Sequence, residues 1–295
     1  MKTNAIICLL TILIMLCACQ QKKETENQAV TSTPPVKELI SIQSESIINP
    51  DGMTIEERFS TPEGFERSTV AEKSFGAYLR QLPLKPDGAK VHYFDGREKS
   101  RAGVYAAVVD LDLDPRNLQQ CADAVIRLRG EYLFDQQRYN KINFHFTNGF
   151  EASYKKWTEG YRIKVDGRNV SWYPTNRAGN SYKIFRQYLK MVFAYAGTIS
   201  LNQELKPKAL EDIEIGDVFI QAGSPGHAVI VVDLAKHPDT GEKRFLLAQS
   251  YMPAQDIQVL RNPANEPENP WYSNQIIAQL RTPEWTFNKT DLKSY

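Results

Sequence analysis

Gly216-Asp217-Val218-Phe219-Ile220, then Gly223-Ser224-Pro225-Gly226-His227-Ala228-Val229-Ile230-Val231-Val232-Asp233-Leu234, then Arg244-Phe245-Leu246-Leu247-Ala248-Gln249-Ser250-Tyr251 is the stretch that decides the fold. These apolar, β-branched runs are separated by short polar turns, and Ile257–Leu260 adds another run. Four successive strands with short connections predict an antiparallel meander. Upstream, the pattern changes to helical. Phe75, Tyr78 and Leu79 recur at helical spacing within Glu72–Leu82 and stop at Pro83. A long helix capped by Asp114-Pro115 or Asn117 is expected to run to about Tyr139. Ser181–Ala196 reads as a second, aromatic-rich helix closed by Gly197. Val104–Leu113 and Ile142–Phe146 read as strands, and Asp166-Gly167 is the turn of a hairpin over Tyr161–Trp172. Helices first and sheet later predict an α+β domain in which helices pack on a C-terminal antiparallel sheet. The tail carries Trp271, Tyr272 and Trp285 amid Pro and Asn, and is expected to strap the surface rather than form another element.

The amino terminus reads differently. Met1-Lys2 and the apolar run from Ile6 to Leu16 have the length and charge of an export signal, too short to span a bilayer comfortably. Residues 20–48 are polar, aromatic-free and marked by Pro34-Pro35, the composition of a tether that cannot bury enough surface to fold. Residues 49–295 then form a single α+β domain, long enough for a real core. The chain has 36 Lys+Arg against 35 Asp+Glu, so no basic field marks it for nucleic acid. No two His, Cys or carboxylate residues fall at ligand spacing, so no metal and no cofactor is expected.

Leu16-Cys17-Ala18-Cys19 resembles a bacterial lipobox. That resemblance implies lipidation of Cys19 and an extracytoplasmic domain tethered to the membrane of the cell envelope. Several acyl chains on one cysteine give the multiple anchors that stable attachment needs. Of the four cysteines, Cys8, Cys17 and Cys19 lie in the signal, which leaves Cys121 alone in the folded part. A lone thiol is either a small core residue or a nucleophile. Proximity to a helix N-terminus favours a thiolate, whereas Leu118, Cys121, Val125, Leu128 and Tyr132 on one helical face favour burial.

His227 begins an apolar strand beside a glycine-rich turn, where a base has an anchored backbone and an exposed ring edge. His92, His145 and His237 are weaker candidates. If Lys236–Gly241 is the turn, His227 falls opposite Gln249 or Tyr251, and residues of matching parity share a face. Gln249 is then the candidate for orienting an imidazole. A one-residue slip would present Ser250 instead. Asp233 shares the parity of His227 but lies about 20 Å along the strand, too far to reach the ring.

Thiol at a helix N-terminus, histidine at a strand start and a polar residue on the next strand resemble the papain-like thiol hydrolases. The strand Gly216–Ile220 ahead of the histidine strand is similar to the core of NlpC-type cell-wall amidases. This implies a papain-like core with a large insertion, and a triad of Cys121, His227 and Gln249 acting on amide bonds of peptidoglycan or peptides. A second resemblance covers most of the folded part. Pro62–Arg67, Tyr78–Leu84, Gln120–Ala124, Phe144–Thr147, Gly223–Asp233 and Ala248–Gln255 are similar to an uncharacterised bacterial family, domain of unknown function 4846. It implies one domain and no chemistry. The competing expectation is a non-catalytic surface lipoprotein binding glycan or peptide on aromatic surfaces such as Trp157, Trp172, Trp271 and Trp285.

Overall fold

The computed structural model describes residues 46–265, 269–276 and 278–295. The expected signal, Cys19 and the tether up to residue 45 lie outside the described residues. Ile48 already bridges to Phe59, so the last tether residues join the folded body. Three short elements open it: α1 (Ile55–Arg58), β1 (Glu66–Arg67) and α2 (Phe75–Arg80). Thr54 and Ser74 cap the two helices through their hydroxyls. β2 (Tyr105–Val108) precedes the long α3 (Cys121–Asp135). A middle block follows, with the hairpin β3 (Asn143–His145) and β4 (Glu151–Ser153), α4 (Tyr154–Thr158), and the hairpin β5 (Tyr161–Asp166) and β6 (Asn169–Pro174). Then come α5 (Tyr182–Tyr195) and α6 (Thr198–Glu204).

The last third is β-rich, as expected. It comprises β7 (Lys206–Pro207), β8 (Val218–Gln221), β9 (His227–Lys236), β10 (Lys243–Gln249), β11 (Gln258–Leu260), β12 (Tyr272–Ser273), β13 (Gln279–Arg281), β14 (Thr286–Asn288) and β15 (Leu292–Ser294). The main sheet runs β2-β11-β10-β9-β8-β15-β7, with β1 also on β9 and β12 also on β10. Its pairings are antiparallel. The α+β class therefore stands.

The tail departs from expectation. It supplies β12 and β15 to the sheet and a separate hairpin of β13 and β14. Trp271 is fully buried, with its indole N–H donating to the Ser60 carbonyl at 2.9 Å. Too few hydrophobic residues recur in the tail to show alternation, because its strands are only two or three residues long.

Strand alternation divides the core in two. Ala228, Ile230 and Val232 of β9, with Leu246 and Ala248 of β10, face the cluster built from α3 and α5. Val229, Val231, Phe245 and Leu247 face the other way, onto Phe219, Phe287 and Leu292. A register shift opposite Leu246/Leu247 places both Val232 and Asp233 on the helical side. The simple parity argument for Asp233 is thus corrected. Its carboxylate meets Arg80 of α2 at 2.6 Å and also pairs with Arg67. α3 packs on β9 and β10 and is flanked by α2, α5 and α6. Nearly every residue from Cys121 to Leu133 is buried, because the helix is enclosed on several sides rather than on one stripe.

Candidate active site: Cys121, His227 and Gln249

α3 starts later than the sequence suggests. Cys121 is its first residue, Gln120 is the cap, and Asn117–Gln119 form the approach. The Asp123 carboxylate accepts the Gln120 N–H at 3.0 Å, and Asn117 accepts the Ala254 N–H at 2.7 Å, which ties the helix start to the loop after β10. The Cys121 thiol points at the start of β9. It donates to the Gly226 carbonyl at 3.9 Å, and the Ala228 N–H faces the sulfur. The turn at 226 has room only for a glycine. A Cβ there would lie 2.5 Å from Thr198 Oγ1 and 2.8 Å from the Gln221 carbonyl.

His227 is 1% exposed and Gln249 equally so. Both are on the sheet face away from α3, and His227 Nε2 lies 2.8 Å from Gln249 Oε1. The expected shared parity is realised. Ser250, the residue a register slip would have presented, donates instead to the carbonyls of Gln119 and Gln255. Tyr251, Trp285 and Phe287 surround the imidazole at centroid distances of 4.8, 5.3 and 5.8 Å. Behind Gln249, its amide Nε2 donates to Glu284 Oε2 at 2.7 Å, and Glu284 pairs with the buried Lys99 at the same distance. Sequence reasoning missed Glu284 and Lys99 and did not place Trp285 beside the imidazole, because they come from the tail and from a loop with no periodic pattern.

The electrostatics differ from those of an isolated helix N-terminus. Burial and the Asp123 charge push the Cys121 thiol up to about 11, although the N–H groups of Ala122, Ala228 and Cys121 oppose the rise. Burial holds Asp123 up to about 8, against the N–H groups of Gln120 and Asp123 that favour its anion. Burial holds His227 down to about 4, with Gln249 opposing and Lys99 adding to the shift. At neutral pH the imidazole is therefore neutral and the thiol protonated. No hydrogen bond joins the thiol to the imidazole among the described residues, and the ring's bond runs through Nε2, leaving Nδ1 unbonded.

Beside the thiol lies a cleft of about 340 Å³. Cys121, Gln120, Phe193, Thr198, Pro225 and Met252 are among its walls. The first-turn N–H groups of Cys121 and Ala122 have no carbonyl partner within the helix and lie beside the sulfur.

The weaker histidines are engaged elsewhere. His145 Nδ1 contacts Glu204 at 3.2 Å, His237 accepts turn N–H groups, and His92 is 3.7 Å from Asp256. Among the described residues no group of three or more His, Cys, Asp or Glu side chains could hold a metal ion. No helix among them is long and apolar enough to cross a membrane. Of the four tryptophans, Trp271 and Trp157 are core residues, while Trp172 and Trp285 are half-buried.

Fold and site together define an α+β protein with a thiol at a helix start and a Gln-bonded histidine at the head of a central strand. The chain belongs to the family described as Domain of unknown function (4846), whose model matches residues 55–294. No curated protein and no solved structure matches it.

Proposed function

We propose that the protein is a lipid-anchored, extracytoplasmic thiol hydrolase, an amidase or peptidase acting on amide bonds of peptidoglycan or peptides. The observation that carries this reading is the 2.8 Å bond from His227, the first residue of β9, to Gln249, with the carbonyl of the preceding Gly226 receiving the Cys121 thiol. The order of groups that supports the reading resembles that of papain-like thiol hydrolases: a thiol from a helix start, an imidazole from a strand start and an amide from the next strand.

In the reaction, His227 Nδ1 takes the Cys121 proton as the sulfur attacks the amide carbon. The oxyanion forms against first-turn N–H groups of α3. The C–N bond then breaks, the imidazolium gives its proton to the departing amine, and a thioester remains. Water, deprotonated by the same imidazole, cleaves the thioester and restores the thiol. A neutral imidazole at pH 7 is the form required of the base. The step requires sulfur and Nδ1 within hydrogen-bond range, a contact absent among the described residues.

The test is iodoacetamide labelling of the purified protein against pH, with Cys121→Ser and His227→Ala. The hydrolase reading expects labelling of native protein that is lost in Cys121→Ser and moved to higher pH in His227→Ala. A thiol silent until denaturation sinks it. A second reading, a non-catalytic lipoprotein binding glycan or peptide, draws on the burial of Cys121, 7% exposed, and the upward displacement of its pKa. It expects that silent thiol. The anchoring part is tested separately. Cys19→Ser should abolish palmitate incorporation and release the protein from the membrane fraction.

A further inference from the structure

We infer that Glu284, held by Lys99, is a positioning residue that fixes which nitrogen of His227 carries the proton. The argument is one of donors and acceptors. Glu284 is in ion-pair contact with Lys99 at 2.7 Å, with both side chains almost completely buried. An ionised carboxylate only accepts hydrogen bonds, so the group that Gln249 turns toward it must be the amide NH2, as found at 2.7 Å. With the NH2 committed, the other end of the amide, Oε1, faces His227. A carbonyl oxygen only accepts, so Nε2 must bear the hydrogen and Nδ1 the lone pair.

Without Glu284 the Gln249 amide can rotate by half a turn. It would then donate to Nε2 and favour the opposite tautomer, with the proton on Nδ1. Lys99 is fixed in turn by Gln255 Oε1 at 3.0 Å, which also receives Gln258 Nε2 at 3.0 Å. The chain of groups runs Gln258–Gln255–Lys99–Glu284–Gln249–His227 and is buried over most of its length. Trp285, adjacent to Glu284, packs on the imidazole and donates its indole N–H to Gln221 at 3.0 Å, which anchors the segment that supplies the carboxylate.

This role rests on the hydrolase reading for its purpose, but its readout does not. The chain has four histidines, so ring 15N shifts of the full-length protein can be assigned by loss of one set in His227→Gln. The expected result is a neutral His227 with the hydrogen on Nε2. Lys99→Met/Glu284→Gln removes both buried charges at similar volume, and should move the ring toward a mixture of tautomers. Labelling of Cys121 at pH 7 should fall at least about tenfold in that variant. Glu284→Gln alone is the second variant, should the double change fail to fold.

A wild-type ring protonated on Nδ1 overturns the proposal without any substitution. So does a folded variant whose tautomer is unchanged. If the tautomer moves while Cys121 is never labelled in native protein, the hydrolase reading fails and the positioning role stands.

Discussion

At Asp123 two ionisations oppose one another. The carboxyl is two residues beyond the thiol and its charge disfavours the thiolate. Below about pH 8 it keeps its proton and the opposition is muted. Asp123→Asn retains an oxygen for the Gln120 N–H, and should shift Cys121 labelling to lower pH, with the largest gain above pH 8. The same substitution has a stability signature. The unfolded chain releases this proton near 3.8 and the folded chain near 8, so wild-type stability relative to the variant falls as pH rises between them. The slope is up to about 1.4 kcal/mol per pH unit, readable in urea titrations. His227 runs the other way. Its folded pKa is depressed to about 4 from 6.5, so acidification through that window destabilises wild type relative to His227→Asn. A difference in melting temperature that is flat from pH 6.5 to 4 would contradict this. The helix-start position of Cys121 and the pairing of His227 with Gln249 were legible in the sequence because each residue sits at the start or end of a strongly patterned element. The thiol's raised pKa was not, since it comes from enclosure by chain segments far away.

β9 does the organising work among the elements. Its apolar run announces a buried strand in the sequence, and the pairing with β10 follows from the turn between them. The bulge at Val232 does not announce itself. Nothing local in Val231-Val232-Asp233 demands it, and it is stabilised by what Asp233 reaches across the helical face. Removing that carboxylate leaves Arg80 and Arg67 facing a buried void. Asp233→Ala should cost about 3–5 kcal/mol in chemical unfolding, whereas Arg67→Met/Arg80→Met/Asp233→Leu should cost less because neither arginine charge is left without its carboxylate. Equal losses would show that the pair matters only for packing. α3 illustrates the limits of a one-stripe reading. Its apolar positions predicted burial of one face, but the helices packed around it enclose the others too, and Arg127 is buried with bonds to Asp112 and Gln119.

In the whole molecule the tail is a structural layer. Leu292 and Phe287 belong to the same apolar cluster as Phe219 and Val229, and β15 sits between β8 and β7. Deleting residues 292–295 should expose the β8 edge and lower the melting temperature by several degrees or abolish cooperative unfolding. An unchanged transition would mean the strand only decorates the sheet. Trp271→Ala should cost about 3–5 kcal/mol through the lost ring and its bond to Ser60. Because Glu284, Trp285 and Phe287 complete the surroundings of His227, the imidazole is supported by residues synthesised long after Cys121. A nascent chain emerging in order carries its thiol and its histidine well before the side chains that fix the ring. Assembly of the imidazole's surroundings therefore waits for residues 284–287, and any fragment stopped short of Glu284 should leave His227 without the side chains that fix its ring.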